Sequence, residues 1–539
     1  MTTISLNPME LPWYVTLSVI RMLTAYIISM IFCLTVGYIA ANNKIAERIV
    51  IPMIDICQSA PILSFVPVFI VGLSFLPSGL LVETTAIFLI MTNMAWNLTF
   101  AWYQALKTIP YGLQDASKIF GLNRWMRFKT LELPFASLGI IWNSILSWTG
   151  GWYFLQLSEA FTAGNRNVEL PGLGSYIAEA AIQGDIHAMI WGVVALIAVV
   201  IIIDQLVWRP VLVWADKFKV EGISSGGDSK PTSWFYNLIS KYHIIHWIDR
   251  KIEPITEKFD RVIIHNLPSH NMQGKMLNEN QNFIKFKRYT TSIGALLGIV
   301  LVYWLIGTII DSISNLTRIL MNIPIDQWEE IGLGLFVTFV RVLTTVIISL
   351  LITIPIGIYV GGNKKWRDKL QIFMQIGSSI PATVLFPIVV IVLIGTIGLN
   401  PATIILMMTG ATWYLLYNII AGVSAMPQDL KDLSVILRLD RWTRLRMVTL
   451  PALFPFLVTG AITAAGGAWS TSIASEYLNY GGNAISAIGI GSIIAGSLAC
   501  GNNNLMMAAT LSLILAVVII NVTFWRKLYS IVEEKYHLD

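Results

Sequence analysis

The sequence predicts an all-α integral membrane protein of about eleven transmembrane helices, laid out as two parallel repeats about a pseudo-two-fold axis. Three observations carry this expectation. Charged residues make up 12% of the 539-residue chain and hydrophobic ones 55%, with a mean hydropathy of +0.68, whereas a soluble domain carries about a quarter of its residues charged. Largely apolar runs of about 18 residues or more recur along it, each long enough to cross about 30 Å of hydrocarbon as a helix. The second half repeats the first at a fixed offset.

Taken in order, five spans fall at 12–41, 50–76, 80–106, 137–159 and 186–208. Six follow at 289–311, 331–361, 371–395, 402–425, 453–475 and 504–525. The domains are a first repeat at 1–214, a cytoplasmic linker at 215–285 and a second repeat at 286–539. The opening MTTISLNPME has no basic residue before its first apolar run and does not read as a cleaved signal peptide. Cys33, Cys57 and Cys500 lie far apart, so no disulfide framework or zinc site is indicated.

The net charge of +5 is placed as a topology signal, not as a nucleic-acid surface. With the N-terminus outside, 32 of the 36 Lys and Arg fall in cytoplasmic segments, Arg166 and Arg318 fall outside, and Arg21 and Arg341 lie within spans. Without the long linker, whose weight in such counts is small, the split is still 19 to 2. Positive charge collects on the cytoplasmic side, which places both the C-terminus and the linker there.

Arg21, Thr24, Ser29, Gly37, Asn43 and Lys44 recur 320 residues later as Arg341, Thr344, Ser349, Gly357, Asn363 and Lys364. From Trp96 onward the offset is 317, because the first half holds three extra residues near its second hairpin of spans. Trp96, Pro110, Asp115, Arg124 and Trp125 then match Trp413, Pro427, Asp432, Arg441 and Trp442, and Ser158, Glu159, Gly172 and Gly174 match Ser475, Glu476, Gly489 and Gly491. Matches at Arg, Asn, Glu, Pro and Trp do not arise from apolar low complexity. Five spans would reverse the second repeat; the added span at 289–311 restores its direction, giving parallel repeats with a pathway between them.

One loop in each half is long, basic and closed by proline: LQDASKIFGLNRWMRFKTLELP at 113–134 and LKDLSVILRLDRWTRLRMVTLP at 430–451. Apolar residues at Leu113, Ala116, Phe120 and Leu122, then Trp125, Phe128 and Leu131, mark a short helix, a turn and a second amphipathic stretch. Docking to a partner protein and resting on lipid headgroups both fit such a helix.

These loops resemble the coupling-helix motif of the membrane subunits of binding-protein-dependent ABC importers, a Glu-Ala-Ala triplet followed by a glycine, an Ile and a closing Leu-Pro. It falls on Asp115, Ala116, Ser117, Gly121, Leu131, Leu133 and Pro134 in the first half. In the second it falls on Asp432, Leu433, Ser434, Val448, Leu450 and Pro451, with Arg438 at the glycine position. The segments GGWYFLQLSEAF, LPGLGSYIAEA and DQLVWRPVLVWADKF resemble duplicated members of the nitrate/sulfonate/taurine/bicarbonate branch. The resemblance implies two separate ATPase subunits, which carry the ATP and magnesium and receive the loops, and an extracytoplasmic substrate-binding protein outside. It also implies a small, anionic solute and a place in the cell inner membrane. A glycine at a sharp turn fits positive φ, so Arg438 puts that turn in doubt in the second half.

Candidate pathway or gate residues are Pro61, Pro67, Pro381 and Pro387, which break their spans, and Gly150, Gly151, Trp152, Gly466, Gly467 and Trp469. A hinge beside a cavity and a static packing kink both fit the prolines; close helix packing and a gate lining both fit the glycines. Arg21, Glu159, Arg341 and Glu476 sit toward the outer ends of their spans, where ionisable groups are costly and generally paired or functional. A structural Arg–Glu pair in each half and direct anion binding are the two readings. The glycine-rich stretches 170–177 and 487–494 read as short re-entrant or scoop-like elements. The linker, with Trp234, Phe235, Leu238, Ile239 and Tyr242, reads as a membrane-surface helix tying the halves together.

Enzyme classes find no support: the chain has no phosphate-cradling Gly-x-x-x-x-Gly-Lys-Ser/Thr loop, no His-Glu-x-x-His and no Gly-x-Ser-x-Gly elbow. No metal site or cofactor of its own is expected, and energy must come from other subunits. The alternative transport class, an ion-coupled secondary transporter with duplicated halves, is disfavoured because the inner thirds of the spans read as free of a carboxylate or histidine relay.

Overall fold

A computed structural model of the chain describes residues 4–59, 69, 73, 76–163, 166–215, 233–241, 317–318, 320–380, 385, 393–426, 428–480, 483–528 and 531. Among the described residues seven helices are long and apolar enough to cross a membrane: Pro8–Asn42, Ser78–Lys107, Ile186–Ala215, Ile325–Gly361, Leu399–Ser424, Arg441–Glu476 and Asn504–Leu528. The 27-residue helix Leu133–Glu159 repeats the frame of Leu450–Glu476. The expected span at 289–311 and parts of those at 50–76 and 371–395 lie outside the described residues, as do Pro61, Pro67, Pro381 and Pro387. The chain is an all-α membrane protein in which the same elements return in the same order.

The repeat is kept to the residue. Lys44–Ser59 returns as Lys364–Ser379, and Ile186–Ile203 as Asn503–Ile520. Each of these last helices starts the same way, after a left-handed glycine (Gly184, φ 70°; Gly501, φ 71°) and a side-chain cap. Asp185 accepts from the Ala188 N–H at 3.0 Å, and Asn502 from the Leu505 N–H at 3.2 Å, satisfying N–H groups that a helix start leaves free. π-helical turns also recur, at Phe128–Glu132 and Leu445–Thr449, and at Asp204–Trp208 and Asn521–Trp525. One does not: Cys33–Gly37 is π-helical, whereas the matching stretch of Ile325–Gly361 is continuous α-helix containing Pro355.

Side-chain placement follows lipid, not water. On Leu11–Phe32 the buried stripe is Tyr14, Ser18, Arg21, Met22, Ala25 and Ser29, while Ile20, Leu23, Ile27 and Ile31 face outward. On Ile325–Gly361, Thr338, Arg341, Thr345 and Ser349 turn inward, and Phe336, Leu343, Ile347 and Leu351 outward. Polar groups inside and apolar ones outside is what a bilayer demands of a helix whose polar side chains need partners.

The described residues divide into two compact units. One holds Thr108–Ser137 and Trp234–Gln327, including the first basic loop and the eight-residue linker helix Trp234–Lys241. The other holds Met1–Lys107, Leu138–Ser233 and Trp328–Asp539. Within it the repeats exchange contacts reciprocally: Ile186–Ile203 packs on Lys364–Ser379, and Asn503–Ile520 on Lys44–Ser59. An aromatic cluster of Tyr26, Trp148 and Trp208, with ring centroids 5.7–5.9 Å apart, fills the first repeat's core.

One feature, a pair of short hairpins, is absent from the sequence reading. The glycine-rich outer stretches form the short helices Leu173–Gln183 and Ile490–Ala499, each preceded by a two-stranded antiparallel hairpin, Ala160–Ala163 with Arg166–Glu169 and Tyr477–Tyr480 with Asn483–Ser486. Four-residue strands leave too little alternation to be read against apolar helical runs. In the Ile186–Trp208 span Asp204 is buried and accepts from the Arg209 Nε–H at 2.9 Å, a single carboxylate engaged by an arginine and not a relay.

Candidate functional site

The first basic loop forms a helix at Tyr111–Ile119, a turn, a one-turn helix at Arg124–Arg127 and then the π turn into the next span. Asp115 and Ala116 lie on the first helix, where Asp115 pairs with Lys118 at 2.9 Å, and Ser117 is buried. Gly121 closes the turn at φ 64°, and the Leu122 N–H reaches back to the Ser117 carbonyl at 3.1 Å, a helix end of the kind a left-handed residue permits. Leu131 lies in the π turn, and Leu133 and Pro134 open the following helix.

The second loop has the same bounds shifted by one repeat: Gln428–Ile436, Arg441–Arg444 and Leu445–Thr449. Ser434 is buried like Ser117, Asp432 and Leu433 are exposed, Val448 lies in the π turn, and Leu450 and Pro451 open the span. Arg438 does not undo the turn. It takes φ 48°, and the Leu439 N–H donates to the Ser434 carbonyl at 3.1 Å, so the backbone that Gly121 makes freely is made here under strain. Asn123 and Asp440 then cap the next helix turn, accepting from the N–H of Met126 (2.8 Å) and of Trp442 and Thr443 (3.1 and 3.2 Å). The Thr443 hydroxyl and these backbone donors hold the Asp440 carboxyl below its ordinary range.

Both loops expose large apolar side chains at their turns: Ile119 and Phe120 are 83% and 79% exposed, Ile436 and Trp442 75% and 69%. Arg438→Gly should relieve a backbone cost of about 1 kcal/mol and keep the loop's shape, whereas Gly121→Val should incur a cost of about 1–3 kcal/mol at the matched place. Limited proteolysis of the two loops reads both changes; equal cleavage of Gly121→Val and parent would contradict the assigned strain.

The structure brings Arg21 to Glu159 and Arg341 to Glu476, each pair at 2.8 Å. Both glutamates are fully buried. Glu159 accepts from the Ser18 hydroxyl (2.6 Å) and the Gly174 N–H (2.7 Å); Glu476 accepts from the Thr338 hydroxyl (2.8 Å) and the Gly491 N–H (2.8 Å). Each arginine also donates to a backbone carbonyl, of Pro171 or Ile488, at 2.8 and 2.7 Å. The pattern ties the first helix, the helix after the loop and the outer short helix into one knot. One position differs. Arg21 Nε meets Glu83 at 2.9 Å, while Arg341 Nη2 meets Asn400 at 2.6 Å, 317 residues on. Sequence reading missed Glu83 and Asn400, because their frame is offset from that of the arginines by the three inserted residues.

Of the glycine–tryptophan segments, Gly150 faces Tyr414 of the other repeat, whereas Gly151 and Gly467 pack within their own. Trp152 and Trp469 are buried. A Cβ on Gly151 would meet Met94 and Met22, one on Gly150 would stand 2.7 Å from Asn93 Nδ2, and Gly467 lies directly against the Gly410 backbone carbonyl. Gly466 faces open space. Across this seam Tyr153 shares hydrogen bonds with Thr409 (2.9 Å) and Thr471 (3.2 Å). Gly150, Tyr153, Thr409, Trp413, Tyr414 and Tyr417 border a cavity of about 20 Å³, space for about one water.

The Tyr103 hydroxyl (2.5 Å) and the Lys107 ammonium (2.9 Å) both donate to Glu47, holding its carboxyl below the usual range.

A duplicated helical membrane chain, with a buried charged knot and a basic loop in each repeat, has the build of a transporter's membrane subunit. The chain belongs to the binding-protein-dependent transport system inner membrane component family, whose model matches it twice, at residues 33–207 and 353–529. It is similar to the bicarbonate transport system permease protein CmpB of Synechococcus elongatus, 31% identical over 182 residues, which is 33% of this chain and 63% of that protein. It is also similar to the nitrate import permease protein NrtB of Synechocystis sp., 26% identical over 166 residues (31% of this chain, 57% of that protein). A third relative is the glycine betaine transport system permease protein OpuAB of Bacillus subtilis, 25% identical over 186 residues (34% and 61%). The match spans about three-fifths of the length of these relatives.

Proposed function

We propose that this chain is the membrane-spanning permease of an ATP-driven importer for a small anionic solute, and not itself an enzyme. Its two cytoplasmic loops dock on two separate ATPase subunits, which bind ATP and magnesium, and a substrate-binding protein delivers the solute from outside. The carrying observation is that two loops with the coupling motif share one backbone course, including a left-handed residue at the same place, Gly121 and Arg438. A lipid-resting helix needs no such conserved turn, and its exposed apolar side chains would face the bilayer without one. The anionic class follows from the nitrate and bicarbonate relatives. The chain sits in the inner membrane with its N-terminus outside and its C-terminus in the cytoplasm, as the 32 to 2 distribution of basic residues favours. Residues 215–285 tie the two repeats together in the cytoplasm.

The test is a detergent pulldown of the full chain from cells expressing its chromosomal neighbours, with and without Asp115→Arg plus Asp432→Arg. Recovery of an ATPase by the parent and its loss in the double variant is the expected result. A folded parent that recovers no ATPase would overturn the importer reading and favour an ion-coupled transporter.

A further inference from the structure

We infer that Arg438 docks against a carboxylate on the ATPase that receives the second loop, an ion pair that the first loop has no means of making at its own turn. This deepens the importer reading and rests on it. Arg438 is the one non-glycine residue at positive φ among the described residues. A side chain there crowds its own backbone, and such conformations gather where the side chain has a use. The backbone itself has no need of one. Gly121 makes the same turn at φ 64°, and both turns close through the same bond, from the Leu122 N–H to the Ser117 carbonyl and from the Leu439 N–H to that of Ser434, each 3.1 Å.

Nor is the use internal. Arg438 is exposed, and its guanidinium has no hydrogen bond or ion pair among the described residues. Asp440, two residues on, is turned instead to the N–H groups of Trp442 and Thr443 at 3.1 and 3.2 Å. A charged group held on an unfavourable backbone, with no partner in its own chain, points to a partner in another.

The two loops differ in where they hold this cation. At matched positions Lys118 answers to Val435, and Gly121 to Arg438. In the first loop Lys118 is tied to Asp115 on its own helix at 2.9 Å, and the turn offers only backbone. In the second the cation stands at the turn itself, in a stretch where Leu437 and Trp442 are 58% and 69% exposed. Apolar neighbours that become covered on docking take water away from a charge among them, so the surface they meet must supply an opposite charge. The planar guanidinium fits a carboxylate through two parallel bonds. A lipid surface fits less well: anionic headgroups attract clusters of Lys and Arg, and here Asp429, Asp432 and Asp440 stand among the basic residues. The loops are therefore not interchangeable, because only the surface that receives the second needs an acidic residue opposite the turn.

The experiment immobilises the full chain in detergent without added lipid and titrates it with the ATPase recovered from its chromosomal neighbours, at about 0.05 and 0.5 M sodium chloride. Arg438→Gly relaxes the backbone and keeps the turn, so weaker binding in it reports the lost side chain and not a misfolded loop. It should bind about three- to tenfold more weakly than the parent at low salt, and the gap should narrow at high salt. Arg438→Lys, with the same charge on the same backbone, should keep most of the parent's affinity and its salt dependence. Arg438→Glu should bind more weakly than Arg438→Gly and improve as salt is added. Arg438→Lys binding no better than Arg438→Gly would overturn the inference. So would equal binding of parent and Arg438→Gly in detergent; a difference that then emerged only in nanodiscs containing phosphatidylglycerol would assign Arg438 to lipid. A parent that recovers an ATPase equally with Arg438→Gly removes this contact alone, whereas a folded parent that recovers none removes the importer reading and this contact with it.

Discussion

Glu476→Ala should destabilise the chain by about 3–5 kcal/mol, and Glu159→Ala by less. Removing one member of a buried ion pair leaves the other charged and unpaired in a medium that solvates it poorly, which is the origin of that magnitude. Arg341 would keep only the Asn400 amide oxygen and the Ile488 carbonyl, neither of which bears a formal charge. Arg21 would keep a carboxylate, because Glu83 meets its Nε at 2.9 Å. That residual pair is discounted, since the Glu83 side chain is 37% exposed, and a half-solvated ion pair contributes about 1 kcal/mol. The two variants should therefore differ by about that amount. Melting curves in detergent for both variants, with Glu476→Gln and Glu159→Gln alongside, read the difference. Equal losses would mean that Glu83 carries no weight for Arg21, and melting of Glu476→Ala at the parent's temperature would remove the structural role of the pair.

Gly467→Ala should abolish recovery of folded, monodisperse protein, while Gly466→Ala should leave it unchanged or slightly improved. The two positions are adjacent on one helix and identical in sequence, so only their surroundings distinguish them. A Cβ at Gly467 would run into the backbone carbonyl of Gly410, and backbone cannot rotate aside as a side chain can. Leu399–Ala425 and Leu450–Glu476 would have to separate along their crossing, with a cost of about 1–3 kcal/mol or more. At Gly466 no atom lies within 4 Å of the added carbon, and exchanging glycine for alanine inside a helix gains about 0.5–1 kcal/mol. Gly150→Ala falls between, since its neighbour is the movable amide of Asn93. Fluorescence-detected size-exclusion profiles of the three variants give the order directly; a monodisperse Gly467→Ala would show that the helices are not held in contact there.

Much of the architecture could be read from residues because the bilayer and the duplication each constrain many positions at once. Arg21 and Glu159 stood out as rare charges in apolar runs, and their recurrence as Arg341 and Glu476 joined four residues before any coordinate did. The membrane helices Leu133–Glu159 and Ile186–Ile203 announced themselves by length and apolarity. What stayed hidden depended on groups without such contrast. Ser18 and Thr338 perform one task with different residue types, so a search for identities passes over them. Glu83 and Asn400 occupy matched positions but differ in charge, and the three inserted residues place them in another frame from their arginines. Tyr153 escaped notice because its partner position is Ser470, and its importance comes from facing the opposite repeat. Arg438 puts the second turn in doubt, since a side chain at positive φ is costly; the structure keeps the turn, with Arg438 at φ 48° and the Leu439 N–H bonded to the Ser434 carbonyl.

The unlike contributions to the seam give the covalent joining of the repeats a consequence beyond tethering. If the first repeat were to pair with a copy of itself, Tyr153 would face Thr92 and Phe154, the positions that answer to Thr409 and Thr471. A pair of second repeats would offer Ser470 to the two threonines and no phenol at all. Neither like-with-like assembly can form the Tyr–Thr–Thr contact. A single polypeptide delivers one of each repeat in every molecule, whatever the level of expression, and so frees the two halves to diverge in ways that separately made, interchangeable subunits could not tolerate.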